Sequence, residues 1–270
     1  MKKAFKVLCL LCGLSLAGIA LMSCAGRKTG PVPSNGTPAD EPDKTSGKAE
    51  NTQHEQIVPL PSEKTGKAYW KGKTVAYLGD SITALSEYQI YLRRILELGR
   101  GYTFAVSGTQ LTGEDQSFTQ RAEEIGIDTD LIFVLGGTND FHVGAPLGTP
   151  QDPPCRTTFC GAVKLVCETL RRDHPDALIV FATPTRRTAP PGSGIPDKNG
   201  IGLSLGDYRQ AIIDVCAQYG IPVLDLYTVS RISEETAERY LSDGLHPNTA
   251  GFEQMAKEIA AYLCPGEIEY

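Results

Sequence analysis

Residues 74–83 read TVAYLGDSIT, an apolar run that stops abruptly on Gly79-Asp80-Ser81. Ordinary turn chemistry accounts for such an ending, because Gly, Asp and Ser tolerate tight backbone angles. A second reading is that Ser81 is a nucleophile held at the carboxyl edge of a sheet. The rest of the chain chooses between them.

Four more apolar segments recur: YTFAVS (102–107), DLIFVLGG (130–137), ALIVFATP (177–184) and IPVLDLY (221–227). None alternates strictly between polar and apolar, which is the pattern of strands buried on both faces. Helical patterns lie between them. Tyr208, Ala211, Ile212, Val215, Cys216 and Tyr219 recur at spacings of three and four within 204–220, with Ser204 as N-cap and Gly220 as stop. Phe159, Val163, Val166, Cys167 and Leu170 form a second apolar face, opened by Thr157 or Thr158. Phe252, Met255, Ala256, Ile259 and Leu263 form a third, after Asn248 or Thr249. Strands alternating with helices predict an α/β fold, a parallel five-stranded sheet with helices on both faces, since parallel connections need crossovers. In such open sheets the ligand crevice lies outside the carboxyl ends of the strands.

The strand ends therefore share one site. They carry Gly79-Asp80-Ser81, Ser107-Gly108 and Gly137-Thr138-Asn139-Asp140, and SDGLHPN places Asp243 and His246 three residues apart before the last helix. These are the parts for acyl transfer. A serine hydroxyl is a weak nucleophile that needs an adjacent base. His246 can take its proton and return it to the leaving alkoxide, so activity is expected to fall in acid as the imidazole protonates. Asp243 would orient the ring and stabilise the imidazolium. The amides of Ser81 and Gly108 and the Asn139 carboxamide can aim three donors at the oxyanion.

GDSIT, the Ser-Gly of the second block, GGTND and DGLHPN, in that order, resemble the blocks of the SGNH hydrolase (GDSL esterase/lipase) superfamily. The resemblance spans residues 74–264. It implies a flavodoxin-like three-layer α/β/α fold and serine-dependent ester hydrolysis with no metal or organic cofactor. The family's serine falls on Ser81, its second-block glycine on Gly108, its asparagine on Asn139 and its Asp/His pair on Asp243 and His246. One departure is the second block, where Phe104 and Ala105 replace the asparagine and glycine often found ahead of Ser-Gly.

Five further residues are candidates for contacting substrate: Asp80, Asp140, His142, Arg186 and Arg187. Each has a plainer alternative, a turn hydrogen bond for Asp80 and carbonyl anchoring for the arginines. His174, at a helix end where a cation favours the dipole, reads as structural, and Trp70 as a packing residue. Two long Gly/Pro-rich loops, 141–155 and 185–202, leave strands on the active-site edge and are expected to wall the substrate pocket. Neither offers a long apolar stretch for a fatty acyl chain. Short acyl esters on polar substrates such as acetylated saccharides are therefore expected, with a lysophospholipase or thioesterase, or a non-catalytic glycan-binding lipoprotein, as alternatives.

The first residues read MKKAFKVLCLLCGLSLAGIALMSCAG, a basic start, a short apolar core and a small-residue cleavage zone. Leu21-Met22-Ser23-Cys24 resembles the lipobox of bacterial lipoproteins. This predicts a signal peptide over 1–23, lipidation of Cys24, an extracytoplasmic membrane-anchored domain and contact with a lipid bilayer. Residues 24–66, rich in Gly, Pro, Ser, Thr and mixed charge, are expected to form a flexible tether containing His54, which has no part in the chemistry. The hydrolase domain is then 67–270.

Removing 1–23 takes away three lysines and moves the formal charge from −6 to −9. An acidic domain without a basic stripe argues against nucleic acid. The five cysteines after Cys24 show no zinc-type spacing. Cys167 and Cys216 fall on apolar helix faces, and Cys155 with Cys160 can form a disulfide outside the cytoplasm. The oligomeric state is not legible.

Overall fold

The computed structural model describes residues 58–126, 128–188 and 198–269. The chain forms α1 (Lys67–Trp70), β1 (Val75–Gly79), α2 (Ser81–Ala84), α3 (Glu87–Leu96), β2 (Gly101–Ala105) and α4 (Phe118–Glu123). It continues through β3 (Leu131–Leu135), α5 (Thr138–Val143), α6 (Phe159–Asp173), β4 (Leu178–Ala182) and α7 (Leu205–Gln218). It ends with β5 (Val223–Leu224), α8 (Leu226–Val229), α9 (Ala237–Tyr240) and α10 (Thr249–Leu263). The five strands are all parallel, in the order β2-β1-β3-β4-β5. This is the flavodoxin-like arrangement the sequence led us to expect.

Period-two side-chain alternation divides the apolar runs between two cores. Ala76, Leu78, Ile132, Val134, Ile179 and Phe181 face α4, α6 and α7. Val75, Tyr77, Leu131, Phe133, Leu135, Leu178, Val180 and Ala182 face α3 and α10. Both faces of β1, β3 and β4 are buried, which is why these strands carry no polar alternation. Each fully buried Leu, Ile, Val or Phe contributes about 1.5–3 kcal/mol by leaving water.

The long helices start where the caps indicate. The Ser204 hydroxyl accepts from the Asp207 amide, Thr158 from Gly161 and Asn248 from Gly251. Trp70 is fully buried and donates from Nε1 to the Leu263 carbonyl, a packing role as expected. Cys167 and Cys216 are buried on facing helices. Cys155 and Cys160 are free thiols.

Four features depart from the sequence reading. Strand β2 lies at the sheet edge, so Gly101, Tyr102 and Thr103 are exposed rather than buried on both faces. The predicted strand 221–227 shrinks to Val223–Leu224. The cause lies at Asp225, whose carboxylate accepts from Thr183 Oγ1 and from Nε and Nη2 of Arg209, and α8 begins directly after it. Residues 58–66, assigned above to the tether, are seated on the domain. Lys64 Nζ donates to the Asp176 carbonyl, the Gly66 amide donates to the Leu263 carbonyl, and Leu60 packs on the α3/α10 core. Finally, His174 is buried with neither ring nitrogen bonded to protein, and burial pushes its pKa down. It sits at the end of α6 as a neutral ring, not as a cation on the dipole.

Candidate active site

Strand β1 sits between β2 and β3 with Gly79 in register with both Ala105 and Leu135. The segments that follow these three residues therefore leave the sheet side by side. Ser81, the 106–113 loop and Asn139 reach one edge because of that register.

Ser81 is the first residue of α2, and Asp80 is its N-cap, accepting from the Ile82 amide at 3.1 Å. The hydroxyl of Ser81 lies 2.9 Å from Nε2 of His246, across 165 residues of chain. Nδ1 of the same ring lies 2.7 Å from Oδ2 of Asp243. The loop holding the pair is self-braced. Asp243 Oδ1 accepts from the amides of Leu245 and His246, and Ser242 donates to the His246 carbonyl from both its amide and its hydroxyl. Partial burial raises the Asp243 pKa, but the bonds from the His246 ring and the two amides outweigh it and bring it down to about 2. An ionised carboxylate at that contact accepts, so Nδ1 carries the proton and Nε2 is left to accept from Ser81.

The oxyanion candidates are placed as follows. Gly108 is exposed, with φ of +79°, a conformation that favours glycine. Asn139 donates one Nδ2 hydrogen to the Thr109 carbonyl at 2.9 Å, which leaves its second N–H. Among the described residues, no protein acceptor takes the amides of Ser81 or Gly108. Such donors, aimed at developing charge, typically contribute about 100- to 1,000-fold each in turnover.

The five substrate-contact candidates divide. Asp140 is fully buried and accepts from the amides of Leu111 and Thr112 and from the Thr112 hydroxyl, so it staples the 106–113 loop to α5. Asp80 is likewise buried beneath Ser81 and presents nothing to solvent. Arg186 donates from Nε to the Tyr227 carbonyl and lies 4.7 Å over that ring, the anchoring alternative. Arg187 donates to Thr138 Oγ1 at 3.2 Å, beside Asn139, and burial lowers its pKa while the Asp243 charge opposes that shift. The next amide, Thr188, donates to the Gly244 carbonyl, which ties this loop to the Asp243/His246 turn. His142 is exposed near the end of α5. Residues 141–143 of the expected 141–155 loop belong to α5 instead, and the rest is fixed to the start of α6 through Phe159 and Cys160 amides on the Pro146 and Leu147 carbonyls. Cys24 and His54 lie outside the described residues.

Sequence reasoning missed Arg121. It is almost wholly buried behind the strand ends, on α4. A capping box, Ser117 with Gln120, was there to announce this short helix, and an arginine on its apolar face was the signal.

Fold and site together define an ester hydrolase of the SGNH class. The chain belongs to the GDSL-like lipase/acylhydrolase family, whose model matches residues 77–254. Among solved structures, a protein from Lactobacillus plantarum is 31% identical with a TM-score of 0.67, over 72% of this chain and 97% of that one. The lipase/acylhydrolase from Enterococcus faecalis has the same fold at 16% identity and a TM-score of 0.52, over 73% of this chain and 97% of that one. No curated protein matches.

Proposed function

We propose that the protein is a serine esterase that hydrolyses short-chain esters, chiefly acetyl esters of saccharides, from a tethered position outside the cytoplasm. Ser81 attacks the acyl carbon, and His246 takes the hydroxyl proton through Nε2. Asp243 holds the imidazolium, and the amides of Ser81 and Gly108 with the Asn139 carboxamide receive the oxyanion. The alkoxide leaves with the proton from His246, and water repeats the sequence on the acyl-enzyme. The observation carrying this reading is the unbroken chain of contacts, 2.9 Å from Ser81 to His246 and 2.7 Å on to Asp243.

The short-acyl, saccharide part rests on the lack of a long apolar stretch in the Gly/Pro-rich 141–155 and 185–202 loops. One observation favours a lysophospholipase or thioesterase instead. Leu85, Val143 and Ile201 are each more than half exposed, and Leu85 and Val143 lie four residues from Ser81 and Asn139.

A panel of acetylated oligosaccharides and p-nitrophenyl esters of graded length tests both. Ser81→Ala should lower turnover about 10³-fold or more with an unchanged folding transition. Acetate should be cleaved faster than long chains, and the reverse order moves the assignment to the lipid or thioester reading. Failure of a fluorophosphonate to label Ser81 in the wild type would leave a non-catalytic binding protein.

A further inference from the structure

The Arg121 side chain makes four hydrogen bonds and no ion pair within salt-bridge distance among the described residues. Nη1 donates to the Gly79 carbonyl and to the Phe104 carbonyl, both at 2.6 Å. Nη2 donates to Thr109 Oγ1 at 2.9 Å, and Nε to the Gln116 carbonyl at 3.0 Å; Thr109 Oγ1 in turn donates to the Val106 carbonyl. Its guanidinium lies 4.6 Å from the Phe118 ring centre. The side chain is only 5% exposed.

The identity of these acceptors matters more than their number. Gly79 is two residues before Ser81, and Thr109 directly follows Gly108. Thr109 also receives the Asn139 carboxamide on its carbonyl. One planar fork thus grips the segments that carry two of the oxyanion donors, the Ser81 and Gly108 amides, and the third, Asn139, is tied to it only through Thr109. Strands β1 and β2 pair only up to Gly79 and Ala105, so past that register the spacing between them is no longer set by the ladder. The guanidinium takes over at that point.

We infer that Arg121 is a positioning residue that sets the separation of the Ser81 and Gly108 amides and so pre-forms the oxyanion hole. The inference rests on the serine-esterase reading. Lysine cannot replace it, because an ammonium lacks the rigid fork that reaches two carbonyls and a hydroxyl together. The cation also remains without a carboxylate in contact. Burial draws its pKa down to about 10, with Asp80 and Glu124 opposing, so it stays charged at neutral pH behind the position where negative charge develops.

The test uses Arg121→Ala, Arg121→Lys and Thr109→Val, assayed with p-nitrophenyl acetate. Arg121→Ala should lose about 100-fold in kcat with KM within about threefold, the signature of a donor set misplaced for the transition state. Guanidinium chloride at tens of millimolar should restore kcat at least tenfold, while sodium chloride at equal ionic strength should not. Arg121→Lys should stay impaired. Thr109→Val, which keeps the shape and removes one acceptor of the fork, should lose several-fold in kcat while still melting cooperatively, at a somewhat lower temperature because a buried N–H loses its acceptor, and it decides the matter if Arg121→Ala does not fold. Folded variants with wild-type kcat, or a loss confined to KM, would overturn the inference. An inactive wild type that fails to label with fluorophosphonate would overturn the esterase reading itself, a separate outcome.

Discussion

Asp80 and Asp243 stand on either side of one serine–histidine contact, and their surroundings push them in opposite directions. Asp243 is half-exposed and accepts from a ring and two amides, which hold it ionised far into acid. Asp80 is buried, and its Oδ2 meets no donor. Burial drives its pKa up to about 7, with the Ile82 amide opposing and the Asp140 charge adding to the rise. In the unfolded chain this carboxyl ionises near its ordinary 3.8. Between those two values the native state holds a proton that the unfolded state has lost, so stability falls as pH rises through that window and then levels off. Asp80→Asn removes the ionisation while keeping the shape. The variant should therefore exceed wild type in urea denaturation at pH 8, by roughly 1–4 kcal/mol, and lose that advantage near pH 4. A difference that does not change with pH would show that the carboxyl is not the group involved.

At the scale of elements, the turn from β1 into α2 decides whether the serine is presented at all. Gly79 ends the strand where its neighbours leave no room. A Cβ there would overlap the Thr83 side chain on α2 and press on the Leu135 carbonyl at 3.0 Å. Thr83 is fully buried and shares a hydrogen bond with Tyr88, so it cannot swing aside freely. Gly79→Ala should thus cost about 1–3 kcal/mol through overpacking and should slow fluorophosphonate labelling of Ser81 by shifting α2. Labelling at the wild-type rate would mean that the turn absorbs the methyl without moving the nucleophile. Gly108 presents a different constraint: nothing lies within 4 Å of its would-be Cβ, and its positive φ is the reason for glycine.

At the scale of the molecule, the candidate chemistry lies on one edge of the sheet, and the chain ahead of α1 packs on the domain through Leu60, Lys64 and Gly66. The Gly66 amide and Lys64 side chain are held beside the end of α10 and the α6–β4 turn. We propose that the preceding chain ends in a lipid on Cys24. Wild-type protein expressed in a bacterial host should then partition into the detergent phase on cloud-point separation and incorporate labelled palmitate, and Cys24→Ser should do neither. Aqueous partitioning of the wild type would remove the anchor and leave the hydrolase fold untouched.

The apolar runs, their lack of alternation and the capping residues Ser204, Thr158 and Asn248 determined a parallel α/β sheet, because burial on both faces and helix starts are local demands written into consecutive residues. Ser81, Asn139, Asp243 and His246 were legible for a similar reason, as short motifs at predicted strand ends. Tertiary structure alone decided that β2 is an edge, that β5 stops at Asp225, that Asp140 faces inward as a staple and that Arg121 bridges two strand ends. Each of these depends on which partner arrives from far along the chain, and spacing within a segment carries no record of that partner.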